Sequence, residues 1–476
     1  LESLSDPNIE DAVESFVERL NCTNVERDPA ILTRPKEISN LIKLLANKKA
    51  PGEDNISNHA LKMVPRKFLV AFTCLVNACL MNAYFPTAWK IATVVPIHKQ
   101  GKLKNQVKSY RPISLLSNLS KLLEKIILAK ISTFITLPDY QFAYRKGHST
   151  SHQILRLVQD IRQNFTAKRS SGLLLMDLSS AFDTVWHDAL LYKMDGMGFP
   201  VYLTKMVQSF LSDRSFKVKV GKSMSDTTPI SAGVPQGSSL SPTLFNIYMS
   251  DMPVHDMCTV AQYADDVAFL SSNKRAASIT KCLREASYNF ASFCRNWKLK
   301  INPTKCEATF FTKRLARRAF PRRNILLQGH EIVWSNSCKY LGVFLDQRLT
   351  FKIQTNDIIR KSGMCVKLLY PLINRNSRLL PANKILLYKS IIRPVILYGF
   401  PAWEKCATTY KKKIQVIQNR CLKMCLKLHP RHPTSGVHEL AKIETIVDHI
   451  NRLTASFNDR AATSDNALIS RLVIHN

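Results

Sequence analysis

At 476 residues the chain is too long for one compact core, which predicts two to four domains or subdomains, and its apolar content of 45% is ordinary. Its 68 Lys and Arg against 35 Asp and Glu leave a net charge of +33, which favours nucleic acid as a partner because Lys and Arg neutralise phosphates. No apolar run approaches the roughly 20 residues that span a bilayer, and no signal peptide opens the chain. The 12 Cys form no small-domain disulfide pattern. We therefore expect an intracellular protein of the nucleus and cytoplasm, without a membrane partner.

The first elements in chain order are predicted to be helical. Residues 1–46 carry mixed charge at helical spacing, and a second helical stretch covers about 60–90. "WKIATVVPIHKQGK" (89–102) predicts a strand that runs into a basic turn. In "SYRPISLLSNLSKLLEKIILAKI" (109–131), a strand is followed by an amphipathic helix. We expect residues 1–76 to form an N-terminal helical extension. Because the chain begins at Leu1 rather than Met, we also expect it to be part of a longer chain.

The centre of the chain alternates strands and helices. "LLLMDL" (173–178) is a continuous apolar run, typical of a strand covered on both faces. "GSSLSPTLFNIYMSDM" (237–252) predicts a helix, and "VAQYADDVAFL" (260–270) predicts two short strands around a tight turn. A helix over 277–301 and a strand over 338–346 ("CKYLGVFLD") follow. The main domain is predicted to cover residues 77–349.

The C-terminal part of the chain has a different character. From 350 to 460 the pattern is helical and basic, with proline breaks expected at 371, 381, 394 and 401, and 461–476 is predicted to be a tail. The preceding "KRLARRAFPRRN" (313–324) is interpreted either as an exposed loop that contacts nucleic acid or as a disordered one. We therefore place a boundary near residue 347 and expect a helical, basic subdomain after it.

Three carboxylates stand out because each interrupts an apolar run. Asp265 and Asp266 lie side by side at the predicted hairpin turn, and Asp177 ends the "LLLMD" run. Two adjacent acidic residues at a turn usually indicate only that the turn is exposed to solvent. If the strands are neighbours, however, three acids meet at one edge of a sheet, and they stay ionised together only when cations neutralise them. Hard oxygen ligands suit Mg²⁺, and two such ions about 3.5–4 Å apart serve in-line phosphoryl displacement.

Six blocks occur in an order that resembles the motif series of reverse transcriptases. They are "YRPIS", "DLSSAFD", "GVPQGSSLSPTLFNIY", "YADD", "INPTKC" and "KYLGV", and they resemble most closely the enzymes of non-LTR, LINE-like retrotransposons of the jockey type. The resemblance covers about residues 47–440. It implies an α+β fold of right-hand polymerase architecture, with fingers, a palm whose antiparallel sheet is backed by helices, and a helical thumb. It also implies an RNA-directed DNA polymerase that copies an element's RNA at a nicked genomic site.

The resemblance assigns catalytic and metal-binding roles by position. Asp177 and Asp265 match the two metal-bridging carboxylates, Asp266 matches the third acid, and the backbone carbonyl of Leu178 adds an oxygen ligand. Two Mg²⁺ ions are the implied cofactors, with Mn²⁺ as a possible substitute. Lys305 matches a lysine that protonates the leaving pyrophosphate, although it is equally well interpreted as a surface residue. The implied partners are an RNA template, a DNA primer or target DNA, and dNTPs; the oligomeric state stays open.

Further residues are assigned to substrate and primer. Phe182 matches an aromatic that excludes the 2′-hydroxyl of an rNTP, with an ordinary core Phe as the alternative. Gln236 and Gly237, with Gly233 and Pro235, form a turn beside the nucleotide or template. In the implied fingers, Lys99 and Arg111 match residues that grip the triphosphate, and solvated surface is the alternative for both. Tyr340, Leu341 and Gly342 resemble the hairpin that holds the primer end, and Asp183 is interpreted as structural.

Other interpretations remain beside this one. Cys421, Cys425, His429 and His432 have a spacing that suggests zinc, but it follows helical periodicity and lacks a finger loop, so we favour a helix. An RNA-dependent RNA polymerase is disfavoured by Tyr-Ala-Asp-Asp and by Phe182. A catalytically inactive or truncated nucleic-acid-binding remnant is the second alternative, and intact acids count against decay of the site. A group II intron maturase is a further alternative, closer to the resemblance than the other two, and the RNA that the protein binds would distinguish it.

Overall fold

The computed structural model describes residues 6–25, 31–99, 101–314 and 320–472, and it is a mixture of helices with antiparallel and mixed sheets. Within these residues no helix combines the length and apolar character needed to cross a membrane.

The helices and strands of the described residues alternate along most of the chain. The helices are α1 (Pro7–Cys22), α2 (Pro35–Lys43), α3 (Asn58–Lys62), α4 (Arg66–Met81), α5 (Asn118–Ile131), α6 (Thr150–Thr166), α7 (His187–Gly196), α8 (Val201–Leu211), α9 (Ser241–Tyr248), α10 (Ala276–Asn296), α11 (Lys352–Ile373), α12 (Pro381–Leu387), α13 (Arg393–Leu397), α14 (Phe400–Trp403), α15 (Thr408–Cys425), α16 (Val437–Ala441), α17 (Ile446–Ala462) and α18 (Ala467–Ser470). The strands are β1 (Ile91–His98), β2 (Tyr110–Leu115), β3 (Ser170–Met176), β4 (Arg214–Val220), β5 (Ser223–Met224), β6 (Thr228–Ile230), β7 (Thr259–Tyr263), β8 (Asp266–Asn273), β9 (Glu307–Phe311), β10 (Ile325–Leu327), β11 (His330–Ile332), β12 (Trp334–Ser335), β13 (Ser337–Tyr340) and β14 (Val343–Asp346).

The chain divides into two compact units, each made of three separate segments. The first unit comprises residues 1–138, 178–253 and 290–301, and the second comprises residues 139–177, 254–289 and 302–476.

The first unit is built on a small mixed sheet. Its strands run in the order β2-β1-β4-β5, and β6 also pairs with β4. β1 pairs antiparallel with β2 and parallel with β4. The predicted strand and amphipathic helix over 109–131 are confirmed as β2 and α5, and the side chain of Ser117 caps α5 by accepting from the backbone N–H of Leu119 and Ser120.

The second unit is built on a five-stranded sheet with the order β12-β9-β3-β8-β7. All of its pairings are antiparallel except that of β12 with β9. The apolar "LLLM" run lies in β3 at the centre of this sheet, and the side chains of Leu173 and Leu174 are fully buried. This agrees with a strand covered on both faces, as the continuous apolar run predicts.

The helices after residue 350 share a hydrophobic core with that sheet. Buried side chains of one cluster come from β3 (Leu173), β8 (Leu270), α14 (Trp403), α15 (Leu422) and α17 (Ile450). The helical character predicted for 350–460 is confirmed, while the domain boundaries proposed from the sequence remain a prediction. α18 lies within the segment predicted as a tail.

Two predicted elements differ from the structure. The single strand predicted over 338–346 is a hairpin of β13 and β14, because Leu341 (φ 43°) and Gly342 (φ 85°) both take the left-handed conformation of a two-residue turn. The break predicted at Pro371 is wrong, since this residue lies inside the last turns of α11. Pro381 and Pro401 instead stand in the first turn of a helix, where a missing N–H costs nothing. Pro394 follows a π-helical turn, Tyr388–Ile392, that joins α12 to α13, so the helix is not broken there either.

Candidate active site

Three carboxylates come together at one end of the central sheet of the second unit. Met176 of β3 pairs with Val267 of β8, so Asp177, the next residue, lies alongside Asp266. β7 and β8 form a hairpin in which Tyr263 pairs with Asp266, which leaves Ala264 and Asp265 as the turn. The strand neighbourhood that the sequence argument required is therefore present, and it unites acids from distant parts of the chain.

The acids are electrostatically crowded. Burial and then the charges of Asp265 and Asp177 raise the pKa of Asp266 to about 6. Burial also raises the pKa of Asp265, and the charge of Asp177 adds to the effect. The pKa of the nearby Tyr144 phenol is raised as well, by burial and then by Asp265. Negative charge thus accumulates at this end of the sheet without full compensation.

In the part of the chain that the structure describes, Lys305 is the basic side chain that forms an ion pair with the triad. Lys305 Nζ donates to Asp177 Oδ2 at 3.2 Å, and the side chains of Lys305 and Asp177 are 61% and 34% exposed. The backbone of Asp177 is also fixed, because its carbonyl accepts from Asn302 N at 2.8 Å and its N–H donates to the Cys306 sulfur at 3.5 Å. The "INPTKC" motif therefore packs directly against the first carboxylate.

Glutamine side chains that the sequence argument missed hold the Asp-Asp hairpin. Gln141 Oε1 accepts from the N–H of Ala264 at 3.2 Å, and Gln153 Nε2 donates to the carbonyl of Gln262 at 3.0 Å. Both glutamines are buried, and Ala264 has a positive φ of 57°. The sequence offered a clue to Gln153, because it is a polar residue on the apolar face of α6. It offered no such clue to Gln141, which lies in a loop. Tyr263, beside the acids, packs its half-buried ring against the small cluster around Phe142.

The donor set suits a divalent cation chemically, although no ready-made site is formed. Among the described residues, no three His, Cys, Asp or Glu side chains are close enough to enclose a metal ion. Lys305 brings one positive charge to three carboxylates. Burial and the charges of neighbouring Asp residues raise the pKa values of Asp265 and Asp266. Hard carboxylate oxygens at an under-compensated site are the ligands that Mg²⁺ prefers.

The residues assigned to nucleotide selection lie in the first unit. Phe182 stacks on Phe245 of α9, with ring centroids 4.5 Å apart. Its backbone carbonyl accepts from Val234 N at 2.7 Å, and the neighbouring Asp183 accepts from Gln236 Nε2 at 2.8 Å. Phe182 is therefore held against the "GVPQG" turn, and Asp183 has the structural role predicted for it. Leu178, which precedes Phe182 by four residues, is buried, and its backbone forms an isolated β-bridge with Ile301.

Two glycines let this turn approach its neighbours. At Gly233 (φ +88°), a Cβ would lie 2.7 Å from the backbone of Asp183. At Gly237 (φ +138°), it would lie 2.3 Å from the carbonyl oxygen of Ser114 in β2. The N–H of Ser114 in turn donates to the carbonyl of Gln236 at 2.8 Å. The sequence suggested that small residues here let the backbone approach a base pair. In the structure, packing of the protein on itself also requires glycine at both positions.

A buried carboxylate that the sequence argument also missed anchors the far end of the turn. Glu124 of α5 is fully buried and accepts from Ser238 Oγ at 2.8 Å, Ser239 N at 2.6 Å and Ser120 Oγ at 2.8 Å. Its signal was present, because it is a charged residue on the apolar face of the amphipathic helix. It connects the helix after β2 to the turn that carries Gln236.

The two basic candidates of the first unit sit on the β1–β2 hairpin. Arg111 is exposed and pairs with Ile97 across the hairpin. Lys99 is bonded within the hairpin, since its Nζ donates to the carbonyl of Lys108 at 3.0 Å. Arg111 is thus presented outward, whereas Lys99 would have to leave this contact to grip a triphosphate.

The residues predicted to hold the primer end lie at a β-hairpin turn, and they differ in accessibility. The ring of Tyr340 is only 3% exposed and belongs to the core, so this residue can offer a primer its backbone alone. Leu341 and Gly342 form the turn, and the carbonyl of Leu341 accepts from the Tyr398 hydroxyl at 2.8 Å.

The cysteines considered for zinc face a core. Cys421 and Cys425 lie on the buried side of α15, whereas His429 is exposed beyond the end of that helix. His432 Nδ1 contacts its neighbour's carbonyl at 2.8 Å. The helical periodicity therefore accounts for the two cysteines.

Comparison with protein families agrees with this geometry. Residues 97–345 match the family described as reverse transcriptase (RNA-dependent DNA polymerase), and this segment contains all three carboxylates. The chain belongs to the reverse transcriptase family.

Curated proteins similar to the chain come from mobile elements. It is 36% identical over 453 residues to the probable RNA-directed DNA polymerase from transposon BS of Drosophila melanogaster, covering 92% of this chain and 50% of the relative. It is 34% identical over 449 residues to the RNA-directed DNA polymerase from mobile element jockey of the same organism (92% and 48%). A third relative, from transposon X-element, is 33% identical over 469 residues (97% and 51%). The chain spans about half the length of these relatives.

Proposed function

We propose that the protein is an RNA-directed DNA polymerase of a non-LTR retrotransposon. The observation that carries the proposal is the meeting of Asp177, Asp265 and Asp266 at one end of a sheet in a chain of the reverse transcriptase family. The names of the relatives that cover nearly the whole chain support the same activity. The primer 3′-hydroxyl attacks the α-phosphate of a dNTP, and pyrophosphate leaves.

The protein's own residues prepare this reaction electrostatically. Asp177, Asp265 and Asp266 would hold the divalent ions, Mg²⁺ or Mn²⁺, with the Leu178 carbonyl as a further oxygen ligand; bound ions would supply Lewis-acid stabilisation of the phosphoryl charge. Lys305 holds the side chain of Asp177 in place through its ion pair. Because its side chain is well exposed, Lys305 can leave that pair and donate a proton to the departing pyrophosphate.

The architecture follows from the same assignment. The sheet with the carboxylates is the palm, the β1–β2 hairpin with Lys99 and Arg111 belongs to the fingers, and the helices after 350 form the thumb. Phe182, Gln236 and Gly237 select and position the dNTP, and the β13–β14 turn supports the primer. The partners are the element's RNA, a DNA primer or target, and dNTPs, in the nucleus and cytoplasm.

The test is primer extension on poly(rA) with an oligo(dT) primer, dTTP and Mg²⁺. Asp265→Asn keeps the size of the side chain but removes its charge, so extension should fall by at least about 100-fold. Asp256→Asn, which removes one charge from an exposed position outside the triad, is the matched control and should retain the parent's rate. Equal extension by the parent and Asp265→Asn would refute the assignment of the site.

A further inference from the structure

A basic surface separate from the carboxylates lies in the second unit. A cavity of about 1320 Å³ opens between one face of α10 and the segment from Phe320 to Gly329; we call it the basic groove. Among the described residues, seven Lys and Arg residues line it, against one Glu. It is remote from the acids, because Asp266 begins β8 and Lys274 follows the end of that strand, about 26 Å further at about 3.3 Å per residue.

The wall formed by α10 presents charge and an aromatic ring on one face. Lys281, Arg284, Glu285 and Tyr288 are spaced i, i+3, i+4 and i+7, which places them in one stripe of the helix. The side chain of Tyr288 is 71% exposed. Its ring is thus displayed beside cations rather than packed in a core.

The opposite wall is fixed to the sheet by specific contacts. Phe320 packs on Phe310 with ring centroids 6.0 Å apart, and the Trp334 indole donates to the carbonyl of Arg323 at 3.0 Å. Arg322 and Arg323 are exposed on this segment, and the guanidinium of Arg314 is bonded to the carbonyl of Lys274 at 3.1 Å. These contacts hold the segment from Phe320 to Gly329 against the sheet.

The groove's charge is largely uncompensated. Glu285 contacts Lys281 at 3.8 Å and His255 at 3.3 Å, and within the described residues no other groove cation has an ion pair. Phosphates are the complementary charge for such a surface, and an exposed aromatic among cations is a platform on which an unpaired base stacks. The concave basic groove fits a polynucleotide chain better than it fits the flat surface of an anionic membrane.

We propose that the basic groove binds a single-stranded segment of RNA, with backbone phosphates on its Lys and Arg residues and a base stacked on Tyr288. The choice of RNA over DNA rests on the proposed function, in which the template is the strand that must be unpaired. The groove would hold template at a distance from the carboxylates and so keep the RNA attached between rounds of synthesis.

The test measures binding of a labelled single-stranded RNA of about 12 nucleotides by fluorescence anisotropy, without divalent ions. The variant Lys281→Gln/Arg284→Gln/Arg322→Gln should bind at least about tenfold more weakly, and the slope of log affinity against log salt should fall by about 2. The control Lys62→Gln/Arg66→Gln/Lys67→Gln removes the same charge from exposed positions of α3 and α4. It should behave like the parent.

A second pair of variants tests stacking at constant charge. Tyr288→Ala should weaken binding about fivefold or more, whereas Tyr288→Phe, which keeps the ring, should not. Equal weakening by both charge triples, an unchanged affinity for Tyr288→Ala, a preference for single-stranded DNA of the same sequence, or loss of phosphatidylserine-vesicle binding rather than RNA binding would each overturn the proposal. Failure of the proposed function is separate, since Asp265→Asn should lose primer extension and keep this RNA affinity.

Discussion

The pair Asp265–Asp266 costs the protein stability in the absence of a cation. The pKa of Asp266 rises from its ordinary value to about 6 through burial and the charges of Asp265 and Asp177, so folding favours the protonated form. The native state binds more protons than the unfolded state between about pH 4 and 6. The stability that this bound proton contributes is therefore fully present below the pKa of Asp266 in the unfolded chain, and it is lost as pH rises through about 6.

Asp266→Asn should consequently stabilise the protein at neutral pH without divalent ions. We expect a rise in Tm of about 1–3 °C at pH 7, shrinking towards zero near pH 4, where the parent's Asp266 is protonated. Thermal melts in EDTA at both pH values measure this. Asp256→Asn is the control and should show no such pH dependence. A lower Tm for Asp266→Asn at pH 7 would contradict the electrostatic account.

Phe182 offers a test of sugar selection. Phe182→Val removes the ring that would exclude a 2′-hydroxyl, so incorporation of rNTP relative to dNTP should rise by about tenfold or more. The same change removes the stacking on Phe245, worth about 1 kcal/mol. Phe245→Leu removes that stacking while leaving Phe182 in place, and it separates the two effects. A parent that already prefers rNTPs would instead indicate an RNA polymerase.

At the scale of the element, the "GVPQG" turn is held by packing as much as by sequence preference. Glu124, Ser114 and Asp183 contact it from three different parts of the chain. Because several side chains and backbone groups hold this turn, the turn cannot move at one glycine without moving these partners as well.

Gly237→Ala should be much more destabilising than its backbone angle alone requires. A Cβ would lie 2.3 Å from the carbonyl of Ser114, so β2 or the turn must move, at a cost of about 2–4 kcal/mol. Gly221→Ala is the matched control, because Gly221 also has a positive φ (+61°) but nothing within 4 Å of the added methyl group; it should cost only about 1 kcal/mol. Urea unfolding of both variants measures the difference, and equal losses would refute the packing argument.

At the scale of the whole molecule, the sequence predicted what is encoded locally. Asp177, Asp265 and Asp266 were identified because each interrupts an apolar strand, and the helices after 350 follow their apolar spacing. Gln141 was missed because its partner Ala264 lies more than a hundred residues away. For Glu124 the apolar helix face marked an unusual charge, but not its distant partner Ser238. The orientation of Tyr340 and the basic groove were likewise set by tertiary packing, which no periodicity reports.

The division of each unit into three segments has a consequence during synthesis on the ribosome. The central strand β3 obtains its neighbours β8 and β9 only after residues 266–311 have been made, and the first unit waits for residues 290–301. Neither unit can therefore complete its core while the N-terminal half alone has emerged. Nascent chains halted before about residue 311 should remain protease-sensitive and depend on chaperones, and expression of either unit by simple truncation should fail.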